Sequence, residues 1–273
     1  MPLSRHAVGL ALLSALLILS FQARGESWAW GLGSRSLARG GACVAWPDEG
    51  PVGSCNPAGP VMLSGMHLLF GLMPQLSSSG LEEKLLGGSA GWGTIALAGS
   101  LALGVEGGEM RESWSGSLAL RTGERLALGV GVERHRLGRE GAEGEWLGLD
   151  FGVLLRVGPA FLLGLNFGQA LRGEGAATAP LTRVGARLDL GWLSGSGELA
   201  LSPTAPLQLS WGAEVRLFKP LVIRLGSAAG AWTAGLGVDS GRLKADFALF
   251  AGEAGPVWMV STEIVLSGMA VVE

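Results

Sequence analysis

Apolar and polar positions alternate with a period of two along most of the chain after residue 64. In the stretch RLALGVGVERH, which begins at Arg125, leucine and valine occupy every second position, and alanine, glycine and glutamate occupy most of the others. The same alternation recurs in WLGLDFGVLLRV, from Trp146, and in LQLSWGAEVRLF, from Leu207. A two-residue period is typical of β-strands, whose successive side chains point to opposite faces. The pattern therefore predicts an all-β protein.

The alternation predicts about fourteen strands joined by short connections, and bacterial single-chain barrels have even strand numbers. Tight connections such as TGE (122–124) alternate with longer ones such as HRLGREGAEG (135–144) and SPTAP (202–206), so we expect the tight set on the periplasmic side. The predicted strands span residues 65–73, 82–90, 92–103, 112–121, 125–134, 145–157, 159–168, 181–190, 193–201, 207–218, 220–228, 231–239, 242–251 and 257–266.

The strand face opposite the leucines decides which side meets water. A soluble sandwich would bury the apolar face and show a polar face to solvent. Here the second face is mostly glycine and alanine with a few charges of both signs, unlike a solvated sheet. The predicted strands are also about ten residues long, as tilted membrane-crossing strands are, whereas globular strands average about five or six. We therefore predict a transmembrane antiparallel β-barrel, with leucines facing lipid and the glycine-bearing face lining the lumen.

Composition supports this interpretation. The chain has 47 glycines in 273 residues, more than twice the ordinary share of about 7%. Only 16% of the residues are charged and the mean hydropathy is +0.39. No later apolar run approaches the roughly 18 residues of a spanning helix, which leaves a barrel as the leading membrane structure. The formal net charge of −3 gives no indication of a nucleic-acid partner.

The first 25 residues have the three parts of a secretory signal peptide. Arg5 precedes a nearly continuous apolar run, and the small residues Ala23 and Gly25 follow it at the spacing that a signal peptidase reads. The alternative is a retained N-terminal membrane anchor. We expect residues 1–25 to be cleaved and the mature chain to reach the bacterial outer membrane.

Cys43 and Cys55 are the only cysteines of the chain. In an oxidising compartment a disulfide between them would close a small loop. The alternative is a pair of unbonded, buried small side chains. No histidine lies close to them in the sequence, so we expect no metal site.

The glycine-bearing faces and their ends carry charges of both signs, and we expect these charges to pair in the lumen. A catalytic carboxylate pair is the alternative, but no serine-hydrolase, zinc-protease or phosphate-loop motif accompanies it, so we expect neither an enzyme nor a cofactor. The predicted lumen-facing charges are Asp150, Arg156, Arg183, Arg187, Asp189, Glu214, Arg216, Arg224, Asp239, Lys244, Asp246 and Glu263.

The segment ahead of the first predicted strand resembles the N-terminal signature of barrels related to the long-chain fatty acid transporter (FadL) family, closest to its shorter PorV/PorQ-like and uncharacterised relatives. In that signature a glycine- and alanine-rich run leads through an acidic stretch to an Asn-Pro-Ala-Gly motif. The closing hairpins, from residue 234 onward, are also similar. The matching N-terminal residues here are Gly33, Arg35, Gly40, Gly41, Ala42, Val44, Ala45, Asp48, Asn56, Pro57, Ala58 and Gly59.

The resemblance implies a domain division: signal peptide 1–25, an N-terminal hatch segment 26–64 in or at the lumen, and a barrel at 65–273. Irregular backbone at membrane depth survives only under cover of protein or a wet lumen, which agrees with a hatch. The alternative is a periplasmic tail.

Two functions follow from the resemblance as expectations. The first is a narrow, hatch-gated conduit for small or hydrophobic molecules, with a small hydrophobic ligand and outer-membrane lipid as its partners. The second is a PorV-like barrel that docks secreted or surface-attached proteins.

Overall fold

The computed structural model describes residues 33–49, 55–74, 82–106, 109–139, 142–172, 180–228, 230–252 and 255–266. The predicted signal peptide lies outside these residues. The strands are β1 (Gly65–Met73), β2 (Glu82–Trp92), β3 (Ile95–Glu106), β4 (Glu109–Thr122), β5 (Leu126–Arg139), β6 (Ala142–Arg156), β7 (Phe161–Arg172), β8 (Leu181–Asp189), β9 (Leu193–Ser202), β10 (Ala205–Phe218), β11 (Leu221–Ala228), β12 (Ala231–Asp239), β13 (Leu243–Gly252) and β14 (Gly255–Leu266).

The strands form a closed barrel in chain order, so the predicted fold class and the predicted number of fourteen are confirmed. Each strand pairs antiparallel with its neighbours, and β1 closes on β14 through a register that includes Met66 opposite Leu266. Closure leaves no unpaired strand edge, which a membrane-spanning sheet requires. We call the end that carries Gly65, Leu266 and the turns after β2, β4, β6, β8, β10 and β12 the turn end, and the opposite end the loop end.

Exposure confirms that the apolar face points outward. Leu97 and Leu118 on the outer wall are 48% and 47% exposed, whereas their chain neighbours Ala96 and Ala119 on the inner wall are fully buried. The same contrast recurs at Phe151, which is 49% exposed, and Leu154, which is buried. A wall that shows leucine and phenylalanine outward all round the barrel suits acyl chains rather than water.

Three predicted connections were wrong. Residues 104–111 were expected to connect the third and fourth strands, but β3 continues to Glu106 and β4 begins at Glu109. We expected a ten-residue connection at 135–144, but β5 continues to Arg139 and β6 begins at Ala142. These strands were predicted to end where the leucines end in the sequence. Backbone pairing between β5 and β6 nevertheless continues along residues with polar side chains. The connection SPTAP was also expected to be long, but only residues 203 and 204 separate β9 from β10.

The residues ahead of β1 form a short helix, α1 (Ser34–Ala38), an irregular stretch and a 3-10 helix at Gly59–Met62. Among the described residues, none of the helices has the length and apolarity that crossing a membrane requires. We refer to residues 33–49 and 55–64 as the N-terminal segment. Nearly all of it is buried, and its backbone lies against inner-wall residues.

Candidate functional site

The N-terminal segment lies directly on glycines of the inner wall. A Cβ atom on Gly129 of β5 would collide with the backbone of Pro57 and Ala58. On Gly164 of β7 it would collide with the carbonyl of Val44. Further inner-wall glycines with contacts of this kind are Gly152 (β6), Gly212 (β10), Gly226 (β11) and Gly235 (β12). The high glycine content therefore has a structural reason: a bare wall lets a second layer of backbone fit inside the barrel.

Asn56 is the polar anchor of the Asn-Pro-Ala-Gly motif. Its side-chain amide donates hydrogen bonds to the carbonyls of Val44, at 2.9 Å, and Val153, at 3.2 Å. Its amide oxygen accepts from the backbone N–H of Ala58 at 3.0 Å. Asn56 is fully buried, so these partners satisfy groups that would otherwise be costly to bury. We call the packing of Asn56, Pro57 and Ala58 on Gly129 and Gly152 the glycine contact.

The opposite side of the N-terminal segment is held by charge. The Arg35 guanidinium donates to Asp246 at 2.8 Å and to Glu263 at 3.0 Å. Arg224 joins the group, because it bonds Asp246 at 2.6 Å and Glu214 at 2.8 Å. We call this buried group the charged contact. Arg35 of the segment is therefore bonded directly to β13 and β14, and through Asp246 and Arg224 to β11 and β10.

The charged contact extends toward the turn end through His67. Its Nδ1 lies 2.6 Å from Glu263, and its Nε2 lies 3.0 Å from the carbonyl oxygen of Ser64. Lys244 lies 3.5 Å from the same Glu263. The Ser34 hydroxyl bonds Ser261 and donates to the carbonyl of Asp246 at 3.1 Å. The charged contact therefore includes neutral hydrogen bonds as well as ion pairs.

Asp48 and Glu49 fold back onto α1. Arg39 donates two hydrogen bonds to Asp48, at 2.7 and 2.8 Å. Burial would raise the pKa of Asp48, but Arg39 and Arg35 outweigh it and hold that pKa well below its ordinary value. The Glu49 carboxylate accepts from the backbone N–H groups of Arg35 and Ser36, at 3.0 Å each, and thereby satisfies donors at the start of α1.

Cys43 and Cys55 form a disulfide, with their Cα atoms 5.8 Å apart. Both are buried, and Asn166 of β7 donates to the carbonyl of Cys55 at 3.1 Å. Beside Cys43, the Glu198 carboxylate accepts from two backbone N–H groups of the segment and pairs with Arg183 at 2.7 Å. The disulfide thus lies between the charged contact and the glycine contact.

The other residues of the predicted hatch motif also contact the wall. Gly40 and Gly41 adopt positive φ angles of 65° and 71°, and a side chain on Gly40 would strike the backbone of Ser227. The carbonyl of Ala42 accepts a hydrogen bond from Ser196 at 3.1 Å. Gly59 is buried at the start of the 3-10 helix.

Of the twelve predicted lumen charges, seven lie inside the lumen and five lie at its turn-end rim. Arg183, Arg224, Glu214, Lys244, Asp246 and Glu263 have partners in the lumen, as described above. Asp150 faces inward toward Gly131 and Gly168, with no ion pair among the described residues.

Five other predicted charges lie at the turn-end rim rather than deep in the lumen. Arg187 pairs with Asp189 at 2.7 Å, and Asp189 also accepts from the N–H of Gly191. Arg216 is 53% exposed on its side chain. Asp239 and Arg156 are exposed too, and the Asp239 carboxylate accepts from the N–H of Gly241 in the next turn. For Asp239 the prediction of a lumen role was wrong: strand alternation gives the face but not the depth, and here the residue closes a turn.

Sequence reasoning missed several residues of the site. Arg35 was noted only as part of the motif, and its partners lie 211 and 228 positions away, which no local pattern reveals. Glu198 was missed although its alternation with Ser194 and Ser196 places it on the inner face. His67 was not among the predicted site residues, yet it shares Glu263 with Arg35.

An apolar cluster faces the lumen beside α1. It joins Leu37 of the helix to wall residues at or toward the loop end, and its buried members are Leu37, Ala38, Leu69, Met73, Leu85, Ala102, Ala248, Val257 and Met259, with Phe250 packed against them. The alternation pattern predicts mainly charges on the inner faces beside glycine and alanine. The structure shows that many of those charges pair with one another, and that β1, β2, β13 and β14 contribute apolar side chains as well.

Within the described residues, no group of three or more histidine, cysteine or acidic side chains is arranged to hold a metal ion. The site is therefore a packed interior of backbone contacts, ion pairs and apolar side chains.

No protein-family model and no curated protein matches the sequence. Solved structures match the fold instead. The chain shares the fold of the Ralstonia pickettii toluene transporter TbuX. Over 86% of this chain and 98% of TbuX the TM-score is 0.64, at 15% sequence identity. A Pseudomonas aeruginosa FadL homologue matches with a TM-score of 0.55 at 10% identity, over 90% of this chain and 99% of the homologue. The Acinetobacter baumannii outer membrane protein Omp33 matches with a TM-score of 0.53 at 9% identity, over 74% of this chain and 98% of Omp33.

Proposed function

We propose that this chain is an outer-membrane conduit for small hydrophobic molecules, and that its N-terminal segment acts as a hatch. The observation that carries the proposal is the packing of that segment against both sides of the inner wall, through the glycine contact and the charged contact. A solute that crosses the lumen must pass this segment. The fold shared with a toluene transporter also supports the proposed conduit.

The apolar cluster around Leu37 supports the choice of solute. Its wall residues Met73 and Leu85 lie near the loop end, where β1 finishes and β2 begins. Apolar side chains at that level favour the entry of a hydrocarbon-like molecule over a charged one. The charged side chains that would disfavour an apolar solute are largely paired with one another, and they lie closer to the turn end.

A cross-link tests the hatch. Ser34 and Ser261 are in direct hydrogen-bond contact, so the variant Ser34→Cys/Ser261→Cys would tie the segment to β14. The matched control is Ser100→Cys/Ser115→Cys, because these two serines bond each other at 2.8 Å within the wall. Uptake of a small aromatic hydrocarbon is measured in liposomes that contain each oxidised variant or the unmodified chain.

We expect the Ser34–Ser261 cross-link to reduce uptake to the level of protein-free liposomes, while the control cross-link leaves uptake unchanged. Reduction of the cross-link should restore it, and the unmodified chain treated with the same reductant controls for the native disulfide. Equal uptake by both cross-linked variants would overturn the hatch. Background uptake by every protein, including a variant without residues 26–59, would overturn the conduit itself.

The PorV-like role is the second candidate, and one observation favours it. Strands β4, β5 and β6 are adjacent strands of 14, 14 and 15 residues, a length that only β10 matches among the other described strands. Their outer face carries charge at the loop end, where Arg134 pairs with Glu145. This projecting wall offers a surface for a secreted or surface-attached protein. Cross-linking in native membranes tests it: one stoichiometric partner lost in Arg134→Glu supports docking, and the absence of any partner excludes it.

A further inference from the structure

A cavity of about 600 Å³ opens at the turn-end mouth of the lumen, between the β4–β5 turn and the β6–β7 turn. Its lining includes Arg121, Glu124, Arg125, Arg156 and the turn residues 157–159. Each arginine lies two positions from a buried inner-wall residue, so strand alternation places all three side chains on the inner face. The pairs are Arg121 with Ala119, Arg125 with Ala127, and Arg156 with Leu154.

Two of these arginines are direct neighbours across paired strands. The backbone N–H of Arg156 donates to the carbonyl of Arg125 at 2.7 Å, which continues the register between β5 and β6 by one more residue. Arg121 follows on the other side of β5, opposite Ala127. Like charges at directly opposite positions of a sheet are destabilising, so the pair of Arg125 and Arg156 needs a counter-charge.

The described chain provides little counter-charge at this mouth. Deeper in the lumen, Arg183 and Arg224 each bond a carboxylate at 2.8 Å or less. None of the three cavity arginines forms an ion pair with a carboxylate among the described residues, and Arg121 donates instead to the carbonyl of Gly93, at 2.8 Å. Glu124 is the one acidic residue in the described lining, so three positive charges and one negative charge leave the cavity with a formal charge of +2.

We propose that this cavity binds a small soluble dianion, a molecule that carries two negative charges on oxygen atoms, as a phosphate monoester does. Two negative charges match the formal charge of the cavity. The forked guanidinium groups of Arg125 and Arg156 are suited to paired hydrogen bonds with such oxygens, and an anion between them offsets their mutual repulsion. A dicarboxylate carries the same charge on the same kind of atom and is the second source of this chemistry. The ligand is distinct from the hydrophobic solute of the proposed conduit.

Calorimetry on the full mature chain in detergent tests the proposal, at low salt and at a mildly alkaline pH where a phosphate monoester carries two charges. The probes are glycerol phosphate and succinate as dianions, and acetate as a monoanion. The variant Arg125→Gln/Arg156→Gln removes the neighbouring pair. The matched control is Arg216→Gln/Arg242→Gln, because it removes two exposed arginines at the same end of the barrel that do not line the cavity.

We expect Arg125→Gln/Arg156→Gln to bind the dianions at least about tenfold more weakly than the unmodified chain, with the control unchanged and acetate bound weakly by all three proteins. Binding of glycerol phosphate alone assigns the site to phosphate esters, binding of succinate alone to dicarboxylates, and binding of both to dianions in general. Equal weakening in the two variants would mean general charge attraction and overturns the site. Equal affinity in all three proteins, acetate bound as tightly as the dianions, or no dianion bound by the unmodified chain overturns it too.

The variant Arg125→Lys/Arg156→Lys keeps both charges and covers the case in which the glutamine variant does not fold. We expect it to bind glycerol phosphate more weakly than the unmodified chain, because lysine lacks the guanidinium fork, and equal affinity would contradict the forked contact. These readouts are binding, so they do not depend on whether the hatch opens. Solute uptake without dianion binding would overturn this site and leave the conduit, and dianion binding without uptake would do the reverse.

Discussion

The two sides of the N-terminal segment are attached to the barrel by different chemistry. At the charged contact, Arg35 reaches Asp246 and Glu263 across 2.8 and 3.0 Å. At the glycine contact, Pro57 and Ala58 lie on Gly129 with no side chain between them. The charged contact is formed by ionised side chains, whereas the glycine contact is possible only because Gly129 has no side chain.

This difference predicts which substitutions destabilise each contact. A buried charge that loses its partner is strongly destabilising, because the remaining charge stays out of water. A substitution that adds a Cβ atom to a packed glycine destabilises the contact through steric overlap. The loss of stability depends on how far the neighbouring atoms can move. The charged contact should therefore be sensitive to any change of charge, and the glycine contact to any increase in volume.

The largest effect is expected from Arg35→Met. It leaves Asp246 and Glu263 with fewer buried partners, so we expect the free energy of opening of residues 33–49 to fall by about 3 kcal/mol. Hydrogen exchange of these backbone amides measures the change. The control is Arg216→Met, whose side chain is 53% exposed at the rim. Similar exchange in both variants would mean that the charged contact does not hold the segment.

Removing the disulfide with Cys43→Ser/Cys55→Ser tests whether the two contacts depend on each other. The bridge closes a loop of twelve positions, so its loss should destabilise the segment by about 2–4 kcal/mol. We expect faster exchange on both sides of the bridge, at residues 43–49 and 55–62. Faster exchange on only one side would show that the two contacts are independent.

The glycine contact is tested by Gly129→Ala, which places a methyl group against Pro57. We expect the free energy of opening of residues 55–62 to fall by about 1–3 kcal/mol. Gly116→Ala is the matched control, since a Cβ there has only one neighbour, at 4.0 Å. The comparison is read from hydrogen exchange of the backbone amides of Asn56, Ala58, Gly59, Val61 and Met62, and an unchanged pattern in Gly129→Ala would contradict the close packing.

The smallest effect is expected from Asp189→Asn at the rim. Asp189 pairs with Arg187 at 2.7 Å, but its side chain is 32% exposed, so solvent already screens the pair. Arg187 also lies 4.4 Å from the ring centre of Trp46 and keeps that contact. We expect a loss below about 1 kcal/mol in unfolding of the whole barrel by denaturant. A loss as large as that of Arg35→Met would place the rim pair among the main attachments.

The barrel could be predicted from the sequence because its pattern is local. Leu128 and Val130 differ from Gly129 at neighbouring positions, and the same alternation repeats in every strand. Strand ends were less certain where leucines gave way to charges, as at Arg134 to Arg139, since pairing of the backbone continues without an apolar face.

The site was only partly predictable, for a physical reason. The motif residues Asn56 and Pro57 are contiguous and could be noticed, but the groups that hold them come from strands far along the chain. Nothing near Arg35 indicates Glu263, which is 228 positions away. Alternation also gives no depth, so Asp239 at a turn and Asp246 in the buried network look alike in sequence.

The position of Asp246 and Glu263 has a consequence for the order of assembly. They lie on β13 and β14, the last strands of the described barrel, whereas Arg35 is among the first residues of the described chain. Arg35 therefore cannot form its ion pairs with Asp246 and Glu263 until β13 and β14 have also been synthesised. A chain that lacks the final hairpin would therefore carry an N-terminal segment whose Arg35 has no carboxylate of β13 or β14 to bond.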